Sequence, residues 1–465
     1  MTASILFGKM KKKPQAAVLL KACLVVGLIV LTLTFSACRR EEDRPLLDRL
    51  CDLEGVTVTE IAPLEGFLQS FQIDVSQPVD HSNPAAGTFG QRFYLSHRDL
   101  DKPMVFYTTG YGINRNWESE PAGMLQANQI LLVHRYFPDA TPEPLDWKYL
   151  TIWQAASDQH HIRDLLGDIY QGKWVSGGAS KGGMTALYYR RYFPDDVTAT
   201  VAYVAPIMGQ TEDPRFIPFL LEQVGGAECR QKIIDFQRMA LERKEALMPL
   251  FRAYAQTNGY AFSIIDEESA FDYMVLEYLF AFWQYGQESD CLSIPGSGAS
   301  DQAVFDHLAD VSSPYYYADA GFLNYRPLFY QAYTEIGYCP YVYAHLQDLL
   351  QSVTQPSYQA FAPVGVALTF RPQVMQDVIP WLENLGERIL YIYGGIDPWS
   401  AAMLNPRSGL DALKIVQPGA NHMVRIANLD QMELAIQTLE RWLEIDITPP
   451  QSATPEPAAE RKERL

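Results

Sequence analysis

Basic residues are scarce in this chain. Of its 465 residues, 37 are Lys or Arg against 55 Asp or Glu, which gives a formal charge of −18. Deleting the five lysines of residues 1–37, a stretch without acids, takes the charge to −23. So acidic a surface argues against nucleic acid and against anionic lipid headgroups as partners. Cysteines number only six, with no CxxC pair and no Cys/His cluster of metal-ligand spacing, so no structural zinc is expected. A glycine-rich nucleotide loop is also missing, and no cofactor is expected. The longest uncharged apolar run, Ala22 to Leu33, is short for a membrane-spanning helix. Aromatic residues, by contrast, abound. With 48% apolar residues, 27 Tyr, 22 Phe and 8 Trp, the chain can pack a large core, as one domain with an insertion or as two.

The N-terminus reads as an export signal and is set aside from the fold. Lys11-Lys12-Lys13 precedes the apolar run, which ends in Phe35-Ser36-Ala37-Cys38. Met10 is an alternative start. Small residues directly before a cysteine resemble a bacterial lipoprotein box. On this reading residues 1–37 are a lipoprotein signal peptide, Cys38 carries the lipid, and residues 38–50 are a tether. The protein would then sit in the bacterial cell envelope, lipid-anchored to a membrane. Cys51, Cys229, Cys291 and Cys339 remain, and an exported chain would pair them in one of three ways. Cys229 with Cys291 is favoured, because both fall in the same predicted insertion.

Strand-like runs open the mature chain at Phe71–Val75 and Phe89–Leu95, followed by Met104–Tyr107 and Gln129–Val133. A helical stretch covers Trp147 to Tyr170. Lys173–Ser176 reads as a strand, Lys181–Tyr192 as a helix and Val197–Tyr203 as a strand. Alternation of this kind predicts a mostly parallel central sheet covered on both faces. Helical, aromatic-rich sequence then interrupts it. Strands resume at Arg388–Tyr393 and Leu413–Val416, and an amphipathic helix closes at Leu429–Ile445. The predicted architecture is therefore an α/β-hydrolase fold with an inserted helical cap domain. Its first part spans residues 51–207, the cap 208–380, the second part 381–447, and a disordered tail 448–465.

Gly178-Ala179-Ser180-Lys181-Gly182 matches G-x-S-x-G between a strand and a helix, the context that gives the pattern meaning. The sharp turn strains the serine backbone and leaves no room for a Cβ on its flanks. Ser180 is the expected nucleophile, and the Lys181 N–H points where an oxyanion would form. A base and an orienting acid must follow in the order Asp, then His. Asp397 ends the strand Arg388–Tyr393, and His422 lies in the loop after Leu413–Val416. The N–H of Gly110 or of Tyr111, after the strand Met104–Tyr107, is the candidate second oxyanion donor.

With these residues placed, the chain resembles the secreted prolyl tri- and tetrapeptidyl aminopeptidases. Those enzymes are related to prolyl carboxypeptidase and dipeptidyl peptidase II. The resemblance rests on Gln77–His81 with Gly87–Arg92, Val133-His-Arg-Tyr-Phe137 and Asp146–Leu150 leading into Gln154. It continues in Gly177-Gly-Ala-Ser-Lys-Gly-Gly-Met-Thr185, Gly394-Gly-Ile-Asp-Pro-Trp399 and Gly419–Met423. It implies Ser180 as nucleophile, Asp397 as orienting acid and His422 as general base. The implied reaction releases short peptides from a free N-terminus, with proline favoured before the cleaved bond. The lipoprotein box departs from relatives that are freely secreted.

A terminal ammonium calls for a buried carboxylate. Glu277 is the only acid in the aromatic run Tyr273–Tyr285, so it is the expected anchor, with Tyr278 and Trp283 lining a proline pocket. Glu118 and Glu120 are weaker substitutes. A carboxylesterase or lipase with the same triad is the alternative, which has no need of a cap carboxylate. A non-catalytic surface-binding lipoprotein would have no need of the triad.

Overall fold

The computed structural model describes residues 44–450. The leader, Cys38 and residues 451–465 of the tail lie outside the described residues. Residues 44–54 form a small unit of their own, with helix α1 (Leu46–Cys51) and an Arg44–Asp52 ion pair of 2.5 Å.

From Gly55 onward one sheet organises the chain. Strands β1 (Val56–Ile61), β2 (Gln69–Pro78) and β3 (Thr88–His97) pair antiparallel. β4 (Met104–Thr108), β5 (Asn128–Leu132), β6 (Trp174–Ala179), β7 (Ala199–Tyr203), β8 (Ile389–Gly394) and β9 (Leu413–Gln417) run parallel. The spatial order is β1-β2-β3-β5-β4-β6-β7-β8-β9. β4, β5, β7 and β8 are buried at every position, as strands covered on both faces must be. β1 is the exception: Val-Thr-Val-Thr-Glu-Ile has no fully buried residue and lies at the edge, so it carries no apolar run to mark it.

Helices α2 (Glu120–Leu125), α3 (Ile152–Gly167) and α4 (Lys181–Tyr192) follow β4, β5 and β6. α3 begins later than Trp147, because Thr151 caps it by accepting the Gln154 N–H at 3.1 Å. Residues 147–149 make a separate 3₁₀ turn capped by Asp146.

Between β7 and β8 stands the predicted insertion, built on α5 (Ala227–Glu242), α6 (Lys244–Asn258), α7 (Glu267–Tyr285), α8 (Asp301–Val311) and α9 (Asp319–Gln331). Cys229 on α5 is disulfide-bonded to Cys291 beyond α7, while Cys51 and Cys339 are free thiols. The cap shares one continuous core with a face of the sheet, through Met208, Phe216, Phe280, Tyr393 and Trp399. Most of helix α10 (Pro372–Asn384) falls within the predicted cap, residues 208–380. It packs on α4, with an Arg191–Asp377 ion pair of 2.7 Å and Arg191 over Trp381, and also against residues 332–336 of the insertion. α10 thus bridges the insertion and the layer flanking the sheet. Helix α11 (Met432–Leu443) covers the opposite face.

Among the described residues no helix is long and apolar enough to cross a membrane.

Candidate active site

β6 delivers the chain into a turn that only small residues can make. Ser180 has φ +56° and ψ −127°, a strained conformation for a residue with a Cβ. A Cβ on Gly178 would lie 2.4 Å from Gly182 C, and one on Gly182 would lie 2.1 Å from Thr108 O. Backbone bonds hold the turn: Ser180 N–H donates to Tyr203 O at 2.9 Å, and Met184 N–H donates to Ser180 O at 3.0 Å.

Asp397 and His422 arrive from the ends of β8 and β9. The Asp397 carboxylate is fully buried; Oδ1 accepts the Trp399 N–H at 3.1 Å and Oδ2 meets His422 Nδ1 at 2.8 Å. A carboxylate accepts only, so Nδ1 carries the imidazole proton and Nε2 presents its lone pair. Nε2 is buried without a hydrogen-bond partner. A strained serine, an imidazole with a free nitrogen and an orienting carboxylate form a constellation suited to acyl transfer.

The loop after β4 lies on this turn. Gly110 has φ +77°, and a Cβ there would stand 2.7 Å from Lys181 C. Its N–H donates to Thr108 Oγ1 at 3.2 Å, whereas the Tyr111 N–H donates to Thr109 Oγ1 at 3.1 Å. Beneath it, the His134 N–H donates to Tyr111 O at 3.0 Å and the Phe137 ring meets Tyr111 edge-on. His134 is buried and burial pushes its pKa well below the usual imidazole value. Arg135 is fully buried and forks onto Asp158 at 2.6 and 2.7 Å. The His-Arg-Tyr-Phe run is therefore a platform under the loop after β4, a role its sequence did not disclose.

An apolar pocket adjoins Ser180, lined by Tyr111, Met184, Met208, Ile336, Tyr338 and Trp399. The sequence predicts Tyr278 and Trp283 as the lining of such a pocket, and the structure puts both elsewhere. Tyr278 Oη meets His307 Nε2 at 2.7 Å in the cap core, and Trp283 is fully buried with its ring close against Gly225. Helical phase is the reason. At about 100° per residue, Tyr278 and Trp283 point some 100–120° away from Glu277.

Glu277 itself is half-buried in a shell of tyrosines and accepts a hydrogen bond from Tyr358 Oη. Burial raises its carboxyl pKa to about 7, against the lowering effect of Tyr358. No ion pair to Glu277 is present among the described residues. A chain of rings connects it to the serine pocket: Tyr358 lies 4.8 Å from Tyr338, and Tyr338 lies 5.3 Å from Trp399. The substitutes Glu118 and Glu120 are engaged in other ties. Glu118 pairs with Arg98, while Glu120 accepts from Tyr203 Oη, Ile426 N and Ala427 N. Among the described residues no group of three or more His, Cys, Asp or Glu is arranged to hold a metal ion.

The model of the PS-10 peptidase S37 family matches residues 42–463. The prolyl tri/tetrapeptidyl aminopeptidase of Streptomyces mobaraensis is 37% identical over 405 residues, covering 85% of this chain and 84% of the relative. Solved structures that align with it include proline iminopeptidase of Mycobacterium smegmatis, at 13% identity and TM-score 0.40. That alignment covers 80% of this chain and 99% of the other. Epoxide hydrolase A of Mycobacterium thermoresistibile aligns at 13% identity and TM-score 0.36, over 83% and 98%.

Proposed function

The chain belongs to the PS-10 peptidase S37 family, and from that premise we propose an exported aminopeptidase that releases tripeptides or tetrapeptides from free N-termini. Proline is favoured before the scissile bond. The observation that carries the aminopeptidase reading is Glu277, a carboxylate in an aromatic shell with no cation paired to it among the described residues. A substrate's terminal ammonium supplies the missing charge.

Spacing supports the length. Glu277 and Gln284 lie on one face of α7, about 10 Å apart at 1.5 Å per residue. Gln284 O accepts the His422 N–H at 3.1 Å, so that end of the face abuts the histidine loop. Three extended residues span about 10 Å. The Trp399, Tyr338 and Met184 pocket beside Ser180 suits a proline ring.

In the proposed mechanism Ser180 Oγ attacks the carbonyl carbon while its proton passes to His422 Nε2. Asp397 steadies the imidazolium. The oxyanion is met by the N–H group of Lys181 at the start of the helix. Collapse expels the amine of the shortened chain, which takes the proton from Nε2, and leaves an acyl-enzyme on Ser180. Water, deprotonated by the same nitrogen, then releases the short peptide.

Export and anchoring are part of the proposal. The basic Lys11–Lys13 cluster, the apolar run and Ser36-Ala37-Cys38 support a lipid on Cys38. Labelled palmitate should enter the wild type and not Cys38→Ser.

The main test is a tripeptide chromogenic substrate ending in proline, with free and with acetylated N-terminus. Cleavage of the free form alone, abolished by Ser180→Ala, is the expected result. Turnover of a nitrophenyl ester with neither peptide cleaved would replace the reading with an esterase.

A further inference from the structure

Two cavities share walls beside Ser180. The first is the serine pocket, bounded in part by Met184, Tyr338 and Trp399. The second, with room for about one water molecule, opens among Ile152 and Ala155 of α3 and Thr185 and Tyr188 of α4. Among the described residues only Lys181 and Ile336 line both.

That partition is a fixed wall. The Lys181 side chain is buried, and its Nζ donates to Gly110 O at 2.7 Å. Ile336 is buried too, at the end of a π-helical turn, Ala332–Ile336, that prolongs α9. Such turns are uncommon and gather at functional sites. Both neighbours of Ile336 are tied down. The Glu335 carboxylate accepts the Ile152 N–H at 2.7 Å and Arg371 Nη2 at 2.6 Å. Gly337 has φ +74°, and a Cβ there would stand 2.2 Å from Gln210 O. A β-branched side chain on so constrained a backbone has few rotamers into which it can retreat.

Behind the wall the surroundings turn polar. Tyr188 Oη and Gln331 Oε1 are buried there without a hydrogen-bond partner among the described residues. An apolar ring that stops at Ile336 leaves these groups untouched, whereas a longer side chain with an amide tip could pair with them once the wall is gone.

We propose that Ile336 is a specificity-determining residue, closing the back of the serine pocket and limiting the residue before the scissile bond to about the size of proline. The inference rests on the peptidase reading above and adds to it the side chain that sets the size limit.

Pipecolic acid is proline with a ring larger by one methylene. The wild type should cleave a free-amine tripeptide chromogenic substrate ending in proline at least about tenfold better, in kcat/KM, than its pipecolate counterpart. Ile336→Val takes one carbon from the wall and should cut that preference by about tenfold. Ile336→Ala joins the two cavities, and kcat/KM for a substrate ending in glutamine should rise at least about tenfold relative to proline.

A wild type that takes pipecolate as readily as proline would overturn the proposal. So would an unchanged preference in the Val variant, or proline and glutamine substrates declining in parallel in the Ala variant, which is what a merely structural role gives. If the Ala variant does not fold, the Val comparison decides alone. A wild type that cleaves no proline peptide would instead overturn the parent reading, and this inference with it.

Discussion

Gln284, at the end of a cap helix, accepts the backbone N–H of His422 at 3.1 Å. One residue earlier, Asn421 Nδ2 donates to Tyr285 O and Gly286 O at 2.8 and 3.0 Å. The cap is thus fastened to the loop that carries the histidine, and the helix bearing Glu277 is indexed to that loop.

Asn421→Ala should release this fastening. It strands two carbonyls, at a cost of about 1–3 kcal/mol. A lower Tm together with a lower kcat, by calorimetry and turnover, is expected.

Asp397→Asn should lower kcat by about 10⁴-fold, since the amide no longer selects the Nδ1–H tautomer. Circular dichroism and Tm should match the wild type, because the geometry is preserved.

Glu277→Gln should raise KM for free-amine tripeptides at least tenfold and leave the inhibition constant of acetylated tripeptides, which bind without being cleaved, unaffected. Equal effects on the two would remove Glu277 from substrate binding. For the wild type, 1/KM for free-amine peptides should climb as pH rises through about 7, where the carboxylate forms.

Stability should respond in the opposite sense. The folded-state pKa of Glu277 is raised from 4.5 to about 7, so the stability it confers is full below pH 4.5 and lost as pH rises through about 7. Glu277→Gln should therefore exceed the wild type by about 1–3 kcal/mol at pH 8, discounted for partial exposure, and match it at low pH. Denaturant titrations at the two pH values check this.

Cys229→Ser with Cys291→Ser should cost about 2–4 kcal/mol, given the sequence separation of 62 between the two cysteines. Loss of Tm without loss of the Ser180 burst would mark the bond as a staple of the cap only.

The legible parts of this molecule were those with local grammar. Ser180 sits in a turn whose glycines have no alternative, and Asp397 and His422 sit at strand ends that apolar runs mark out. The cap defeated the same approach. α7 is buried on nearly all sides, so its sequence has no amphipathic phase to say which residues face the cavity. Tyr278 and Trp283 were misplaced for that reason. Trp399 and Tyr338, from distant segments, meet at the serine only through the fold. Lys181 was legible for its N–H, but nothing in G-x-S-x-G says where its ammonium goes.

With Glu277 in its proposed anchoring role, the helix that bears it also bounds how sharply product size can be defined. A helical turn advances about 5.4 Å, an extended peptide residue about 3.3 Å. The two scales are incommensurate, like the rulings of a vernier. An acid moved along α7 by one turn would shift the cut by more than one residue and less than two. Single-residue steps in product length are thus closed to a rigid helix. They would have to come from the substrate, by kinking at its prolines or stretching toward full extension.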